Sequence, residues 1–303
     1  MTPIDPTAFA GFHSGFVALV GPPNAGKSTL LNRMLGEKIS ITSRKPQTTR
    51  NRILGIVHRP RAQLVFIDTP GVHRAHQPLN VRIVDTALSA LGDVDLVLLM
   101  ADPLRPDRDA ENFLLSRLAD IQKPVVLAVN KMDRITPDQL IARLDQWSRR
   151  FAFQQIVPIS ALQGTQVDDL LGVMEAMLPE GPPFYAPDML TDSAERFIVA
   201  EMIREKVFRL TGDEIPYATA VTVDTFTETK KGKMMRIGAT IHVERDSQKG
   251  MVIGRGGKKL KQIGLAARED IEKLLYTKVY LELFVRVQKN WTRDTRALRK
   301  FGY

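Results

Sequence analysis

The chain has 303 residues, 44% of them hydrophobic, which is enough for two domains with packed cores. It contains no cysteine, so disulfide scaffolds, thiolate zinc sites and cysteine nucleophiles are excluded. The formal net charge is +9, and residues 230–303 hold 19 Lys and Arg against 7 Asp and Glu, an excess that favours a polyanionic partner.

The amino-terminal residues 1–15 carry neither Lys nor Arg, and they lack the apolar core of a signal sequence. No segment approaches the roughly 20 apolar residues that are needed to span a bilayer. We therefore expect a cytoplasmic protein.

Five apolar runs over residues 1–180 predict buried strands, and the amphipathic segments between them predict helices. The strands are expected at Phe16–Val20, Leu64–Ile67, Leu96–Met100, Val125–Val129 and Ile156–Ile159. The helices are expected at Lys27–Leu35, Val81–Leu91, Asp109–Ala119, Pro137–Arg149 and Val167–Leu178. With Arg52–Val57 as an antiparallel edge strand, the pattern predicts an α/β domain whose mixed, mostly parallel six-stranded sheet has helices on both faces. Ligands of such a domain bind at the carboxyl ends of the strands.

Prolines in Glu180–Pro187 interrupt this alternation, and we interpret residues 181–190 as a linker between domains. Residues 191–303 then predict a smaller α+β domain. Its elements are expected to be a helix at Ala194–Leu210, strands at Ala218–Thr227 and Met234–Glu244, a helix at Lys258–Leu275 and a strand at Val279–Val287.

A phosphate-binding loop directly follows the first predicted strand and fits the pattern G-x-x-x-x-G-K-[ST]. Its residues are Gly21, Pro22, Pro23, Asn24, Ala25, Gly26, Lys27 and Ser28. Backbone N–H groups of such a loop surround the phosphates, and the following helix directs its positive end at them. We expect Lys27 to reach the β- and γ-phosphates, Ser28 to ligate Mg²⁺, and the next residue, Thr29, to belong to the same site.

A second motif, Asp68-Thr69-Pro70-Gly71, follows the next parallel strand. Asp68 is expected to hold Mg²⁺ through water, and the Gly71 N–H to face the γ-phosphate. Alone this motif is compatible with an ordinary turn, so its meaning depends on the phosphate loop before it.

The motif Asn130-Lys131-Met132-Asp133 predicts guanine as the base. The Asp133 carboxylate can accept from both N1–H and the 2-amino group of guanine, a donor pair that adenine lacks, so ATP is disfavoured. Asn130 is expected to brace neighbouring loops and the Lys131 stem to lie over the ring. Ser160 and Ala161, after the last strand, are positioned to offer an N–H to the guanine carbonyl.

The segment Lys38–Asn51 is expected to be a first switch that orders around the γ-phosphate. Thr49 is our choice for the threonine that completes Mg²⁺ coordination, with Thr48 as the alternative. Val72 stands where many GTPases carry a water-orienting glutamine, so unaided hydrolysis should be slow. Asn24 is similar in position to the asparagine that helps hold a monovalent cation beside the phosphates in potassium-dependent GTPases, and the alternative role is a loop cap.

A glycine loop in the second domain predicts contact with a nucleic-acid backbone, because G-x-x-G lets the phosphates approach closely. The loop lies between a predicted strand and an amphipathic helix. The whole order helix, strand, strand, helix, strand is that expected of a type II KH domain, apart from the exact count of helices around the loop, and the groove of such a domain reads about four unpaired nucleotides. We expect an RNA site and no DNA site. The predicted RNA-binding residues are Ile253, Gly254, Arg255, Gly256, Gly257, Lys258 and Lys259.

Taken together, these residues resemble the Era family of bacterial GTPases over nearly the whole chain. The resemblance is carried by Ile39–Arg50, Asn24, Val72, Val252–Lys258 and Asp294–Tyr303. It implies slow GTP hydrolysis to GDP, with Lys27, Thr49 and Gly71 at the catalytic centre, linked to maturation of the small (30S) ribosomal subunit. It also implies a KH domain on the 3′ end of 16S rRNA and loose contact with the inner face of the cell membrane.

Two other functions remain open from the sequence. One is an RNA chaperone gated by nucleotide occupancy, in which hydrolysis is incidental, and Val72 keeps this reading open. The other is a signalling GTPase at a membrane surface, for which no amphipathic anchor can be identified.

Overall fold

The computed structural model describes residues 9–43, 50, 53–69, 71, 92–212, 215, 218–229 and 234–301. The chain divides into two compact units. The first comprises Met1–Glu37, Thr49–Ala75 and Ile83–Asp192, and the second comprises Lys38–Thr48, His76–Arg82 and Ser193–Tyr303.

The first unit contains a six-stranded sheet with the strand order β2-β3-β1-β4-β5-β6. Its strands are β1 His13–Val20, β2 Ile53–Arg59, β3 Ala62–Asp68, β4 Leu96–Ala101, β5 Val125–Val129 and β6 Gln155–Pro158. Only the β2–β3 pair is antiparallel, and the other four pairings are parallel. This confirms the predicted mixed, mostly parallel sheet with an antiparallel edge strand.

Helices cover both faces of this sheet. They are α1 Lys27–Leu35, α2 Arg108–Ala119, α3 Pro137–Ser148 and α4 Val167–Glu175. Leu30 of α1 and Leu170 of α4 are buried against one face, while Leu114 of α2 and Trp147 of α3 are buried against the other. The helix predicted at Val81–Leu91 lies outside the described residues.

The segment predicted as a linker is fastened to the first unit by a buried glutamine of β3. The Gln63 side chain is fully buried. Its Oε1 accepts from the Phe184 and Tyr185 N–H groups at 2.6 and 3.0 Å, and its Nε2 donates to the Tyr185 carbonyl at 2.8 Å. Further along, the Ile56 N–H of β2 donates to the Leu190 carbonyl at 2.8 Å. The linker is therefore a strap along β2 and β3, and the first unit continues to Asp192.

The second unit contains a three-stranded sheet with the strand order β7-β8-β9. Its elements are α5 Glu195–Leu210, β7 Ala220–Glu228, β8 Met234–Val243, α6 Asp246–Ile253, α7 Lys258–Leu275, β9 Lys278–Val287 and α8 Thr295–Lys300. Strands β7 and β8 are antiparallel, and β8 and β9 are parallel.

The helix α6 corrects one prediction, since the glycine loop lies between two helices and not between a strand and a helix. The sequence of α6 has little apolar periodicity from which a helix could be predicted, because Gly250 lies inside the helix and Val252 is its one buried residue.

The beginning of the predicted first switch belongs to the second unit, where it is bonded to α5. Glu205 of α5 has no exposed side-chain surface. It forms ion pairs with Lys38 and with Arg209, and its carboxylate accepts from the Thr42 N–H at 3.2 Å. Lys38 also pairs with Asp270 of α7 at 2.6 Å. Lys38 and Thr42 are thus held by helices of the second unit.

Of the helices that the structure describes, none combines the length and the apolar character that crossing a lipid bilayer demands.

The strap predicts a measurable loss of stability when Gln63 is changed. Gln63→Ala removes three hydrogen bonds between a buried side chain and the strap, each worth about 0.5–1.5 kcal/mol, so the free energy of unfolding should fall by about 1–3 kcal/mol. Urea denaturation measures this change. Gln163→Ala, at an exposed position, is the matched control. An unfolding free energy equal to that of the native chain would contradict the role of Gln63.

Candidate functional site

The phosphate loop joins β1 to α1, and its backbone conformation requires glycine at two positions. Gly21 has φ 156° and Gly26 has φ 106°. A Cβ on Gly26 would overlap Asn130 Nδ2, so a side chain there would displace Asn130. Gly26 also precedes the first helical residue of α1, which leaves the N–H groups of Lys27, Ser28 and Thr29 at the open, positive end of the helix.

The Lys27 ammonium group is buried beneath this loop. Its Nζ donates to the Gly21 and Pro22 carbonyls at 2.9 and 3.0 Å. Burial lowers the pKa of Lys27 from its usual 10.5 to about 8, and the negative charge of Asp68 offsets only part of that effect. Within the described part of the chain its hydrogen bonds go to carbonyls alone, so this buried cation is suited to receive an anionic ligand.

Ser28 and Asp68 meet beside the loop. The Ser28 hydroxyl donates to Asp68 Oδ2 at 2.8 Å, and Asp68 is fully buried at the end of β3. The Thr69 hydroxyl donates to the Leu19 carbonyl at 2.8 Å, which fixes the start of the second motif against β1. At Gly71 a Cβ would lie 2.8 Å from Pro23 Cα, so this glycine permits close approach to the phosphate loop.

Asn130 connects three loops through one carboxamide. Its Nδ2 donates to the Ala25 carbonyl at 2.8 Å, and its Oδ1 accepts from the Ala161 N–H at 2.9 Å. Asn130 is 3% exposed. The first and third motifs and the Ser160-Ala161 loop therefore form one assembly at the carboxyl edge of the sheet.

Lys131 is held at both the phosphate loop and the end of β4. Its Nζ donates to the Asn24 carbonyl at 3.0 Å and forms an ion pair with Asp102. Asp102 is itself buried and accepts from the Leu104 N–H at 2.9 Å. Asp133 lies in the next turn, exposed, with no ion pair among the residues that the structure describes.

Asp102 is a residue that the sequence analysis missed. It directly follows β4, at the carboxyl edge of the sheet where the nucleotide motifs lie. This position after a predicted strand is the feature of the sequence that could have identified it. Acidic residues that follow a strand of this kind belong among the candidate site residues.

The Ser160-Ala161 loop differs from its expected role in one detail. The Ser160 N–H donates to the Thr165 carbonyl at 3.0 Å, and the Ala161 N–H donates to Asn130. A guanine carbonyl would therefore have to share or replace the acceptor of the Ala161 N–H.

Four residues named from the sequence, Thr48, Thr49, Pro70 and Val72, lie outside the described part of the chain. Asn24 lies within it, exposed at the tip of the phosphate loop with φ 62°. This left-handed conformation is one that asparagine adopts more readily than most residues.

The glycine loop of the second unit exposes bare backbone next to cationic side chains. Gly254, Gly256 and Gly257 have φ of 71°, 58° and 75°, and a Cβ on either of the last two would meet nothing within 4 Å. Arg255 and Lys258 are exposed, and Lys259 and Ile253 are half-buried. Because α7 begins at Lys258 with no acidic residue in its first turn, its positive end reinforces the charge of the loop.

Two family models match separate parts of the chain. Residues 16–131 match a family model described as a 50S ribosome-binding GTPase, and residues 214–292 match the KH domain.

Close relatives match nearly the full length of the chain. GTPase Era of Geotalea uraniireducens is 53% identical over 96% of this chain and 98% of its own, and that of Geobacter metallireducens is 55% identical over the same shares. Two Era crystal structures each superpose with a TM-score of 0.92, at 38% identity over 96% of this chain and 99% of theirs. One is an Aquifex aeolicus variant bound to GDP·AlF₄⁻, and the other is a complex with MgGDPNP and nucleotides 1506–1542 of 16S ribosomal RNA. This chain belongs to the GTPase Era family.

Proposed function

We propose that this GTPase binds the 3′ end of 16S rRNA through its KH domain and uses GTP binding and hydrolysis to assist maturation of the 30S subunit. The observation that carries the proposal is the assembly of the nucleotide loops around Asn130, in a chain that also presents the bare glycine loop at Gly254–Gly257. One part can sense the nucleotide, and the other can hold an RNA backbone.

The small subunit is favoured over the large one on the basis of coverage. The family model that names the 50S subunit matches only residues 16–131, whereas the relative bound to a 16S rRNA fragment is similar over 96% of this chain. The second of these comparisons includes the KH domain, which is the part that would contact RNA.

The proposed Mg²⁺ site fits the residues that the structure brings together. Mg²⁺ typically takes one or two carboxylates and completes its shell with substrate phosphates and water. The Ser28 hydroxyl and the Asp68 carboxylate supply such a donor set, with Thr49 as the further ligand named from the sequence. When bound, the ion would neutralise negative charge on the β- and γ-phosphates.

The remaining steps belong to side chains and backbone of the chain itself. Lys27 exchanges two carbonyl acceptors for phosphate oxygens, and the Gly71 N–H, close to Pro23, is in a position to face the γ-phosphate. The Lys131 stem, fixed by Asn24 and Asp102, forms one wall of the base site. Asp133 reads the guanine edge.

A nucleotide-gated RNA chaperone is the alternative function. Val72 has no polar group that could orient a water molecule, so GTP hydrolysis without a partner lacks the water-orienting side chain that many GTPases have at this position. If hydrolysis serves the proposed function, binding of rRNA should raise the rate of GTP hydrolysis, whereas a chaperone gated by occupancy needs no such effect.

Peripheral contact with the inner membrane face stays a prediction from the family resemblance, supported by the net positive charge. Binding to anionic phospholipid vesicles that persists at moderate salt would support it.

The lowered pKa of Lys27 leads us to expect that nucleotide affinity depends on pH. In the free protein its pKa is about 8, and phosphate oxygens favour the charged form, so GDP binding above pH 8 should be accompanied by proton uptake. Affinity should change little between about pH 7, where the terminal phosphate of GDP is ionised, and pH 8, and should fall by up to about tenfold per pH unit above that. Calorimetry in buffers of different ionisation enthalpy measures the uptake. Guanosine, which lacks phosphate, is the control; the same uptake with guanosine would assign it to another group.

Asp133 predicts base specificity. Asp133→Asn should weaken GTP binding by about a hundredfold or more and should improve binding of xanthosine triphosphate, whose C2 carbonyl can accept from the new amide. Competition binding with both nucleotides gives the ratio. Asp138→Asn, at an exposed position in the first turn of α3, is the matched control and should leave the ratio unchanged. Strong retained preference for GTP in the Asp133 variant would remove it as the base reader.

Asn24 predicts a dependence of hydrolysis on K⁺. The rate of GTP hydrolysis should be higher in K⁺ than in Na⁺ at equal ionic strength, and Asn24→Gly should abolish that difference. Glycine accepts the φ of 62° at this position, so the variant removes only the side chain. Equal rates of the native protein in the two salts would exclude the K⁺ site.

The glycine loop predicts a variant that separates the two activities. Gly256→Asp places a carboxylate where RNA phosphates approach, so rRNA binding and any stimulation of hydrolysis by RNA should disappear while unaided hydrolysis persists. Gly212→Asp, also in open space in the same unit, is the matched control. Filter binding at several salt concentrations measures affinity, which should fall as salt rises. Unchanged RNA affinity of the Gly256 variant would move the site away from this loop.

A further inference from the structure

The three-stranded sheet of the second unit has one face packed on helices and one face turned outward. Along β8, Ile237, Ala239 and Ile241 are buried, and Ile263 and Ala267 of α7 are buried as well. Gly264 of α7 lies against β9, where a Cβ would be 3.4 Å from Leu283. The alternate residues of β8 and β9 therefore point to the opposite face.

Two aromatic side chains stand exposed on that outward face of β9. Tyr280 is 52% exposed and Phe284 is 60% exposed, whereas the intervening Leu281 and Leu283 are half-buried. Four residues apart on one strand, the two rings are separated by roughly 13 Å along β9. Single exposed apolar residues are ordinary on protein surfaces, but a pair of rings on one face of an edge strand calls for a partner.

Two arginine side chains lie on the same face as these rings. Arg236 of β8 is paired in register with Tyr280, and its guanidinium lies 5.9 Å from the ring centroid. Arg286, also exposed, follows Phe284 on the same face. The carboxylates of this face are bonded: Glu282 to Arg236 at 3.0 Å, and Asp224 to the Thr240 hydroxyl at 2.6 Å.

The carboxyl-terminal helix closes one end of the face and leaves the rings exposed. Phe301 packs against His242 of β8, with ring centroids 4.5 Å apart, and against Trp291 at 5.2 Å. The exposed part of this face is therefore limited at that end. We call the side chains Tyr280, Phe284, Arg236 and Arg286 the aromatic patch, and Glu282, paired with Arg236, lies between the two rings.

The composition of the aromatic patch favours RNA over a protein partner. Exposed rings with flanking arginines are the arrangement on which unpaired bases stack. A stable protein interface buries about 800 Å² on each partner, whereas two rings offer about 150–250 Å² each. Residues 230–303 also hold 19 Lys and Arg against 7 Asp and Glu, so phosphates are attracted to this part of the chain.

The position of β9 connects the aromatic patch to the glycine loop. A KH groove accommodates about four unpaired nucleotides, so a longer RNA continues beyond it. As an edge strand, β9 has α7 on one face and the patch on the other. An RNA that lies across the start of α7 can therefore pass over β9 onto the outward face.

We propose that the aromatic patch is a second RNA-binding surface, on which Tyr280 and Phe284 stack unpaired bases beyond those held at the glycine loop. The proposal rests on the proposed RNA-binding function and extends its site.

The test compares a short and a long RNA on the full chain. The probes are a pentanucleotide and a fragment of about 20 nucleotides, both taken from the 3′ end of 16S rRNA. The double variant Tyr280→Thr/Phe284→Thr keeps residues that suit a strand and removes both rings. Its affinity for the long RNA should fall by at least about fivefold per lost stack, with pentanucleotide affinity unchanged. Unfolding in urea and unaided GTP hydrolysis should match the native protein.

Two further variants make the result specific. Phe284→Trp should retain affinity for the long RNA, and its fluorescence should be quenched on binding because the indole stacks on a base. Tyr276→Asn removes an exposed tyrosine at the end of α7 and should change neither affinity.

Native affinity of the double variant for the long RNA would overturn the proposal. It would also be overturned if the native protein bound both RNAs equally. If the native protein bound neither RNA, the RNA-binding function itself would be contradicted.

Discussion

The carboxamide of Asn130 holds the nucleotide loops in one arrangement. It donates to the phosphate loop and accepts from the loop after β6. The position therefore needs a donor and an acceptor at once, which an ionised aspartate or a leucine of similar size does not offer. This contact requires glycine at position 26, because a side chain there would occupy the space of the Asn130 amide. Parallel strands make it possible, since their carboxyl ends meet at one edge where a single residue can reach two loops.

The sequence predicts the first unit well because burial on both sheet faces leaves continuous apolar runs, and those runs give the order of strands and helices directly. Helix α1 begins and ends where its pattern indicates, at Lys27 and Leu35. Helix α6 is missed for the opposite reason. With one buried residue and an internal glycine it has no apolar periodicity, and packing within the second unit decides its conformation.

Long-range polar contacts are the part that a single sequence does not reveal. Prolines around residue 182 predict a break in secondary structure, but nothing in that segment indicates that Gln63, some 120 positions earlier, supplies its hydrogen bonds. The same holds for the ion pair of Asp102 with Lys131. Sequence motifs identify the residues that face a ligand. The residues that hold those motifs in place are identified only from the three-dimensional structure.

The bonding of Lys38 and Thr42 to Glu205 has a consequence for how the chain can be divided. A fragment that begins at Ser193 would contain every predicted RNA-binding residue, yet it would lack these two partners of a carboxylate that has no exposed side-chain surface. Arg209 and Lys206 would remain as its cationic neighbours. Truncation at Ser193 would therefore remove two partners of Glu205 that belong to the second unit. A recombinant KH fragment keeps the native environment of α5 only if Lys38 and Thr42 are supplied in another way.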